Sequence, residues 1–214
     1  MIKLLPETDL IQTGPVDHAD WNYKPFLGLL QRTRFRLIDR LLGDEKVDAI
    51  LEVGYGSGVF MPHLKERCNQ LYGIDIHPHN EDVEKVLAAH GVEASLYAGS
   101  AEELPYEDNS VDRIVTVSAI EYVPDIHRAC REFKRVLRPG GSVILVTPGS
   151  SPLLDFFLNL FTGEKAEDNY DDRRNVLRPA LLEHFGLERE LVWPPLLGSL
   201  IRVYSAMQLV SRDE

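Results

Sequence analysis

The residues of this chain with the clearest capacity for chemistry lie in one short stretch, ILEVGYGSGVF at 50–60. An apolar run leads into Glu52, and Gly54, Gly56 and Gly58 follow at alternate positions. Glycine reaches backbone conformations closed to other residues and lets the main chain approach a ligand. A strand that breaks into glycines and restarts as a helix therefore suits a nucleotide. Dinucleotide sites space their glycines G-x-G-x-x-G. Here the third place of that pattern falls on Val59, and the glycine comes one residue earlier, at Gly58. Asp75 lies about 20 residues beyond Gly54, where a ribose-binding acid belongs, but any adenosine ribose asks for that acid. Glu52 separates the alternatives. Two unit charges ~4 Å apart interact by about 4 kcal/mol at an effective dielectric of about 20. A carboxylate at the mouth of the loop thus opposes a pyrophosphate and suits a ligand carrying ammonium and sulfonium groups.

The elements that must position these groups alternate. Residues 24–43 carry Leu29, Leu30, Ile38, Leu41 and Leu42 at helical spacing and stop at Gly43. VDAILEVG (47–54) predicts a strand buried on both faces. VFMPHLKERC (59–68) predicts a helix with Pro62 in its first turn. LYGIDI (71–76) reads as the second strand. HNEDVEKVLAAHG (79–91) reads as a helix capped by Asn80, with Val83, Val86 and Leu87 inward and Gly91 as its stop. EASLYAG (93–99) and DRIVTVSAI (112–120) read as strands three and four. DIHRACREFKRVL (125–137) puts Ile126, Ala129, Phe133, Val136 and Leu137 on one helical face, RPGG (138–141) is a stop and turn, and SVILVTPG (142–149) is strand five. RPALLEHFG (178–186) predicts a helix, and ELVWPP (190–195) and RVYSAMQLV (202–210) predict two closing strands. Repeated β-α units imply an α/β, three-layer, doubly wound and mainly parallel seven-stranded sheet, with ligands beyond the carboxyl ends of the strands.

E-V-G-Y-G-S-G resembles the first motif of class I S-adenosylmethionine-dependent methyltransferases, E/D-x-G-x-G-x-G. The later motifs arrive in order as GIDIHP (73–78), AGSAEELPYEDNSVDRIVTVSAIEYVPD (98–125) and EFKRVLRPGGSVILVTPG (132–149). The series is similar to the small-molecule branch typified by ubiquinone and menaquinone biosynthesis methyltransferases, and it covers about residues 47–149. The resemblance implies a Rossmann-like class I methyltransferase fold, S-adenosyl-L-methionine as cofactor and a small-molecule acceptor. It implies that Glu52, Gly54 and Gly56 border the methionine part of the cofactor, with Tyr55 and Gly58 also among the cofactor-binding residues, while Asp75 holds the ribose hydroxyls and Ile76 lies against the adenine. Ser100 stands where the family commonly has an aspartate bonded to the adenine amino group, with the backbone of Ala101 and Glu102 beside it. Ser118 and its neighbours end the fourth strand beneath the sulfonium.

Methyl transfer from a sulfonium is an in-line displacement on an activated carbon, for which alignment and exclusion of water supply much of the rate. A general base is needed only where the acceptor must lose a proton early, and no catalytic residue declares itself. Glu121 and Tyr122, directly after SAI, are candidates, readable equally as a surface acid and a packing aromatic. Tyr23, with His18 and Trp21 in DHADWNYKPF (17–26), either closes over the cofactor or belongs to a docked core segment. His63 and His127 fall within predicted helices and read as solvent-facing. His77 and His79 flank Pro78 and lack a third ligand, so no metal is expected. LLDFFLNLF (153–161) reads as a helix packed on the sheet, as a lid over an apolar acceptor, or as a dimer or membrane-surface contact. The polar EKAEDNYDDRR (164–174) after it suits a hinge.

With 214 residues, 44% hydrophobic, the chain suits a single methyltransferase domain. Residues 1–46 would form an N-terminal cover and helix, 47–149 the cofactor-binding core, and 150–214 an acceptor-side lid and closing strands. A net charge of −11 makes nucleic acid a poor partner, and QRTRFR (31–36) and REFKRVLR (131–138) read as solvated helix faces. No apolar run approaches the roughly 18 residues of a membrane span. The opening MIKLLPETDL lacks the apolar core of a signal peptide, and Cys68 and Cys130 form no C-x-x-C pair. A cytoplasmic location is expected, and a homodimer is compatible with the sequence. The second functional reading is a non-catalytic module or regulatory subunit that binds S-adenosylmethionine or S-adenosylhomocysteine. A nicotinamide-dependent oxidoreductase is disfavoured by the misplaced third glycine.

Overall fold

Seven strands form one sheet in the order β3-β2-β1-β4-β5-β7-β6, in a computed structural model that describes residues 1–14, 17–149, 171–195 and 202–212. The strands are β1 Val47–Val53, β2 Cys68–Asp75, β3 Ser95–Ala98, β4 Val111–Val117, β5 Leu137–Pro148, β6 Phe185–Trp193 and β7 Tyr204–Ser211. The first five run parallel, and β7 is antiparallel to both β5 and β6. The chain winds outward from β1 through β2 to β3, then crosses back to place β4 on the other side of β1. That reversal opens a crevice at the carboxyl ends of β1 and β4.

Alternation along each buried strand feeds two cores. Ile50, Val115 and Ile144 face a cluster with Phe35, Ile38, Phe60, Met61 and Leu87, supplied by helices α1 Leu27–Leu42, α2 Met61–Lys65 and α3 Asn80–Ala89 and by the turn before α2. Leu51, Val143 and Leu145 face a second cluster with Phe133, Val136 and Leu181, from helices α4 Ile126–Val136 and α5 Asp171–His184. A strand buried on both faces reads as an unbroken apolar run, which is why VDAILEV needs no polar alternation. The expected three-layer, doubly wound sheet is the architecture found.

Several local expectations change. RPGG is not a free turn. The chain passes from α4 directly into β5, where Leu137 pairs with Val111 and Ser142 with Arg113. The intervening residues bulge out of register at Gly140, whose φ of 79° only glycine adopts without strain. Asn80 opens α3 but does not cap it; His79 holds the cap position, without a side-chain bond. Leu29 lies on the exposed side of α1. His63 is not solvent-facing but only 2% exposed. Its Nε2 is 2.8 Å from Asp39 Oδ1, and its Nδ1 is within reach of the Lys3 amide at 3.5 Å, so both ring nitrogens are met inside the fold. LLDFFLNLF lies outside the described residues. No helix among the described residues is long and apolar enough to cross a membrane.

Part of the basic stretch 131–138 also serves the interior rather than the solvent. Arg135 donates to the carbonyls of Leu104 and Tyr106 at 2.9 and 2.8 Å, and to the carboxylates of Asp108 and Glu132. Glu132 in turn accepts the Leu104 amide at 2.8 Å. One guanidinium thus gathers the whole loop between β3 and β4. Arg135→Ala leaves two carbonyls and two carboxylates without their donor and should lower unfolding free energy by about 1–3 kcal/mol, read from the midpoint of urea denaturation. A change within about 0.5 kcal/mol would show the loop to be held by its apolar contacts instead.

Candidate functional site

The carboxyl end of β1 carries the glycine loop. Glu52 lies in register with Gly73 on β2 and Val115 on β4, and the Gly54 amide donates to the Ile74 carbonyl at 2.8 Å. Gly54, Gly56 and Gly58 take φ values of 76°, 52° and 71°. Gly54 has a second reason to be glycine, since a Cβ there would stand 2.2 Å from the Ala119 Cβ just past β4. The two strand ends can therefore approach only because this side chain is missing.

The last residue of β2 completes the loop. Asp75 Oδ2 accepts the Gly56 amide at 2.8 Å, and Oδ1 accepts the His77 amide at 3.4 Å. His77 Nδ1 accepts the His79 amide at 3.1 Å, so the ring proton sits on Nε2, which donates to the Gly56 carbonyl at 2.9 Å. Asp75 and His77 thus hold the two successive peptide units that flank the Gly56 Cα. His77 spends both ring nitrogens on backbone, an organising role the sequence analysis did not assign. The only sequence signal for it is its place two residues past the acid.

Around this loop lie buried polar atoms that the described residues leave unmatched. Glu52 is 3% exposed, and its Oε2 has no hydrogen-bond partner among them. The Tyr55 hydroxyl, Ser57 Oγ, Thr116 Oγ1 and Ser118 Oγ are in the same condition. Burial, and then the neighbouring Asp75 charge, push the Glu52 carboxyl well above its ordinary value of 4.5. The same two causes raise the Tyr55 hydroxyl. Ser118 has a φ of 52°, a left-handed conformation uncommon outside glycine, while its amide is held by the Val146 carbonyl at 2.9 Å. Each unsatisfied buried group costs about 1–3 kcal/mol. A set of them at one edge of the sheet fits a polar ligand that supplies the missing partners. Ser57 and Thr116 were not singled out from sequence, although a threonine inside the apolar run of β4 was a visible irregularity.

The other expected residues fall around this edge with differing roles. Ile76 follows Asp75 and is 82% exposed, an apolar surface suited to cover a ring. Ser100 Oγ accepts the Glu102 amide at 3.1 Å, Glu102 Oε1 accepts the Asp125 amide at 2.6 Å, and Ala101 is buried. These side chains thus shape the loop and fasten α4 as well. Glu121, in the 3-10 turn Ile120–Tyr122 after β4, is no surface acid but 4% exposed, and Tyr122 is partly exposed. Tyr23 gives its hydroxyl proton to the Leu5 carbonyl, and its ring packs on the core, as a docked segment would. His18 stacks on Trp21 with centroids 4.2 Å apart. The N-terminal segment reaches the loop twice: the Leu5 amide donates to Val59 at 3.1 Å, and a Cβ on Gly56 would lie 3.6 Å from Asp17 Oδ1.

Residues 51–145 match the family model described as a methyltransferase domain. A demethylmenaquinone methyltransferase of Staphylococcus aureus is 32% identical over 123 residues, which is 56% of this chain and 51% of that protein. The chain thus spans about half the length of this relative. Among solved structures, geranyl diphosphate methyltransferase in complex with SAM superposes with a TM-score of 0.66 at 18% identity, covering 99% of this chain and 97% of that one. A SAM-dependent methyltransferase from Aquifex aeolicus gives 0.65 at 15% identity, covering 90% and 97%. The fold is that of the class I methyltransferases, and the core is homologous to a menaquinone-pathway enzyme. S-adenosylmethionine is the cofactor that fold and homologues indicate.

The bond of Asp75 to the loop can be separated by mutation from the ribose contact expected of it. Asp75→Asn keeps an oxygen for the Gly56 amide and should leave the unliganded melting temperature within about 2 °C, while weakening S-adenosylhomocysteine binding at least about tenfold. Asp75→Ala should also lose about 1–2 kcal/mol, or about 2–8 °C, because the Gly56 amide is orphaned. Equal melting of the two variants would show that the Gly56 bond contributes nothing.

Proposed function

We propose that this class I S-adenosylmethionine-dependent methyltransferase fold is an enzyme that transfers a methyl group by in-line displacement to a small-molecule acceptor. The observation that carries the reading is Glu52, a buried carboxyl with an unmatched oxygen beside a loop of positive-φ glycines. A pyrophosphate would meet the Asp75 charge and drive the Glu52 carboxyl further toward its neutral form, whereas an ammonium or sulfonium group favours the ionised carboxylate. When bound, S-adenosylmethionine would supply a methyl group already activated by the positive sulfur.

The chain's own part is placement. Glu52 and the amides of the glycine loop would hold the amino-acid end, and Asp75 the ribose hydroxyls, with Ile76 against the adenine. Ser118 and Thr116 would offer hydroxyls beneath the reacting centre. Glu121 and Tyr122, on the turn after β4, would be the candidates to orient the acceptor. Held in line and away from water, the acceptor's nucleophilic atom needs no covalent help from the protein. A second reading, a binding module without turnover, draws support from Ser100, a serine already bonded within its loop where the related enzymes commonly place an acid.

S-adenosylhomocysteine at about one hundred times its dissociation constant should stabilise the fold by about 2.7 kcal/mol, a melting shift of about 5–11 °C, and NADH should give none. The reverse pattern ends the methyltransferase reading. A shift without methyl transfer to any member of a broad acceptor panel favours the module.

Glu52 carries a second test through pH. Its folded carboxyl is raised above 4.5, so just above that pH the folded chain keeps a proton that the unfolded chain has lost. The ligand-free fold should therefore lose stability as pH climbs from about 4.5 through the raised value. Glu52→Gln should flatten that slope and raise the ligand-free melting temperature at neutral pH by about 2–8 °C. The same variant should weaken cofactor binding at least about tenfold. A variant that binds as well as the parent would remove Glu52 from the site.

A further inference from the structure

Away from the cofactor edge, α4 and α5 lie side by side on the second face of the sheet. Where the first turn of α4 meets the last turn of α5, three ligand-type side chains converge. His127 Nδ1 is 2.9 Å from His184 Nε2 and 4.0 Å from Glu183 Oε2. One ligand atom from each of the three residues lies within 4.8 Å of the others. The two rings are tilted by 57° with centroids 5.2 Å apart, so their nitrogens point at one another rather than stack. This cluster is unrelated in position to His77 and His79, on which the expectation of no metal rested.

We propose that His127, Glu183 and His184 form a binding site for a divalent transition metal of the zinc class, clipping α5 to α4. Two imidazoles this close must otherwise share a single proton, one donating and one accepting. A metal uses both lone pairs instead. In a tetrahedral zinc site with Zn–N near 2.0–2.1 Å the two nitrogens stand about 3.3 Å apart, so the pair has to open by only about 0.4 Å. Glu183 is 70% exposed and can swing its oxygen inward without disturbing the core. Two nitrogens and one carboxylate oxygen favour zinc, nickel or copper over calcium or magnesium, and leave a fourth position for water. Because α5 also packs against the turn that carries Glu121 and Tyr122, an occupied site would fix that turn from behind.

The full chain, stripped of metal with a chelator, is titrated with zinc by calorimetry and with cobalt by visible absorption. We expect one saturable equivalent with micromolar or tighter affinity, a tetrahedral cobalt spectrum, and a zinc-dependent rise in melting temperature. His127→Ala should weaken zinc binding at least tenfold and abolish the melting shift while unfolding as cooperatively as the parent in metal-free buffer. Glu183→Gln, at an exposed position, should weaken binding by a smaller factor and serves as the deciding variant if His127→Ala does not fold. The proposal is overturned if the parent shows no saturable binding. It is equally overturned if a folded His127→Ala, or in its place Glu183→Gln, binds zinc as the parent does.

Discussion

One buried carboxyl group, that of Glu52, dominates the electrostatics at the carboxyl ends of the parallel strands. Glu52 sits inside a sheet whose neighbouring strands leave its Oε2 unmatched, and the nearest charge of consequence, Asp75, carries the same sign. Burial and like charge both resist ionisation, and both are relieved together by a cation. The penalty is borne by the ligand-free protein, so it enlarges the difference between the empty and the filled states. The path of β1 fixes where that carboxyl sits, so the proposed complementarity to a positively charged ligand is set by the fold.

That path depends on what is missing around it. Gly54 lacks the Cβ that would collide with Ala119, which lets the ends of β1 and β4 approach closely enough to share one ligand. Gly73, opposite Glu52, lacks the Cβ that would strike Met61, Leu96 and Tyr55, so the flank of the carboxylate stays tightly packed. Asp75 and His77 then pin Gly56 from its amide and its carbonyl. A loop with three glycines would be the most mobile part of a typical chain; here hydrogen bonds at fixed points restrain it, which limits the entropy lost when a ligand binds.

Much of this was legible in the sequence, and the limits follow a physical line. Unbroken apolar runs such as VDAILEV and SVILVTP announce buried strands because burial acts on each residue independently of its partners. Glu52, the glycines and Asp75 stood out in the sequence because they fall at the ends of two apolar strands, and the structure brings them together at one loop. His63, Arg135 and His77 were not, because their roles are set by Asp39, Leu104 and Gly56, groups distant along the chain that periodicity does not report. The bulge at RPGG was hidden for a related reason. Pro and Gly mark a departure from helix, but the pairing of Leu137 with Val111 decides that the departure is a strand.

The distribution of polar groups between the two ends of the sheet adds an argument that the glycine motif alone cannot supply. At the amino ends of the parallel strands the charges are matched. Arg138 meets Asp48 and Asp112, Asp112 accepts the Ala49 amide, and Arg67 meets Asp39 and Asp44. At the carboxyl ends of β1 and β4 the buried polar atoms of Glu52, Tyr55, Ser57, Thr116 and Ser118 are unmatched among the described residues. Unmatched atoms also occur on Asn22, Arg32, Arg67 and Gln208, outside that group. Selection for stability alone would close both ends alike, since each unmatched group costs about as much as a buried hydrogen bond returns. One end consolidates the fold and the other keeps its hydrogen-bonding capacity in reserve. The direction of that asymmetry, toward the strand ends where parallel sheets hold ligands, supports the proposed binding role of the buried carboxyl.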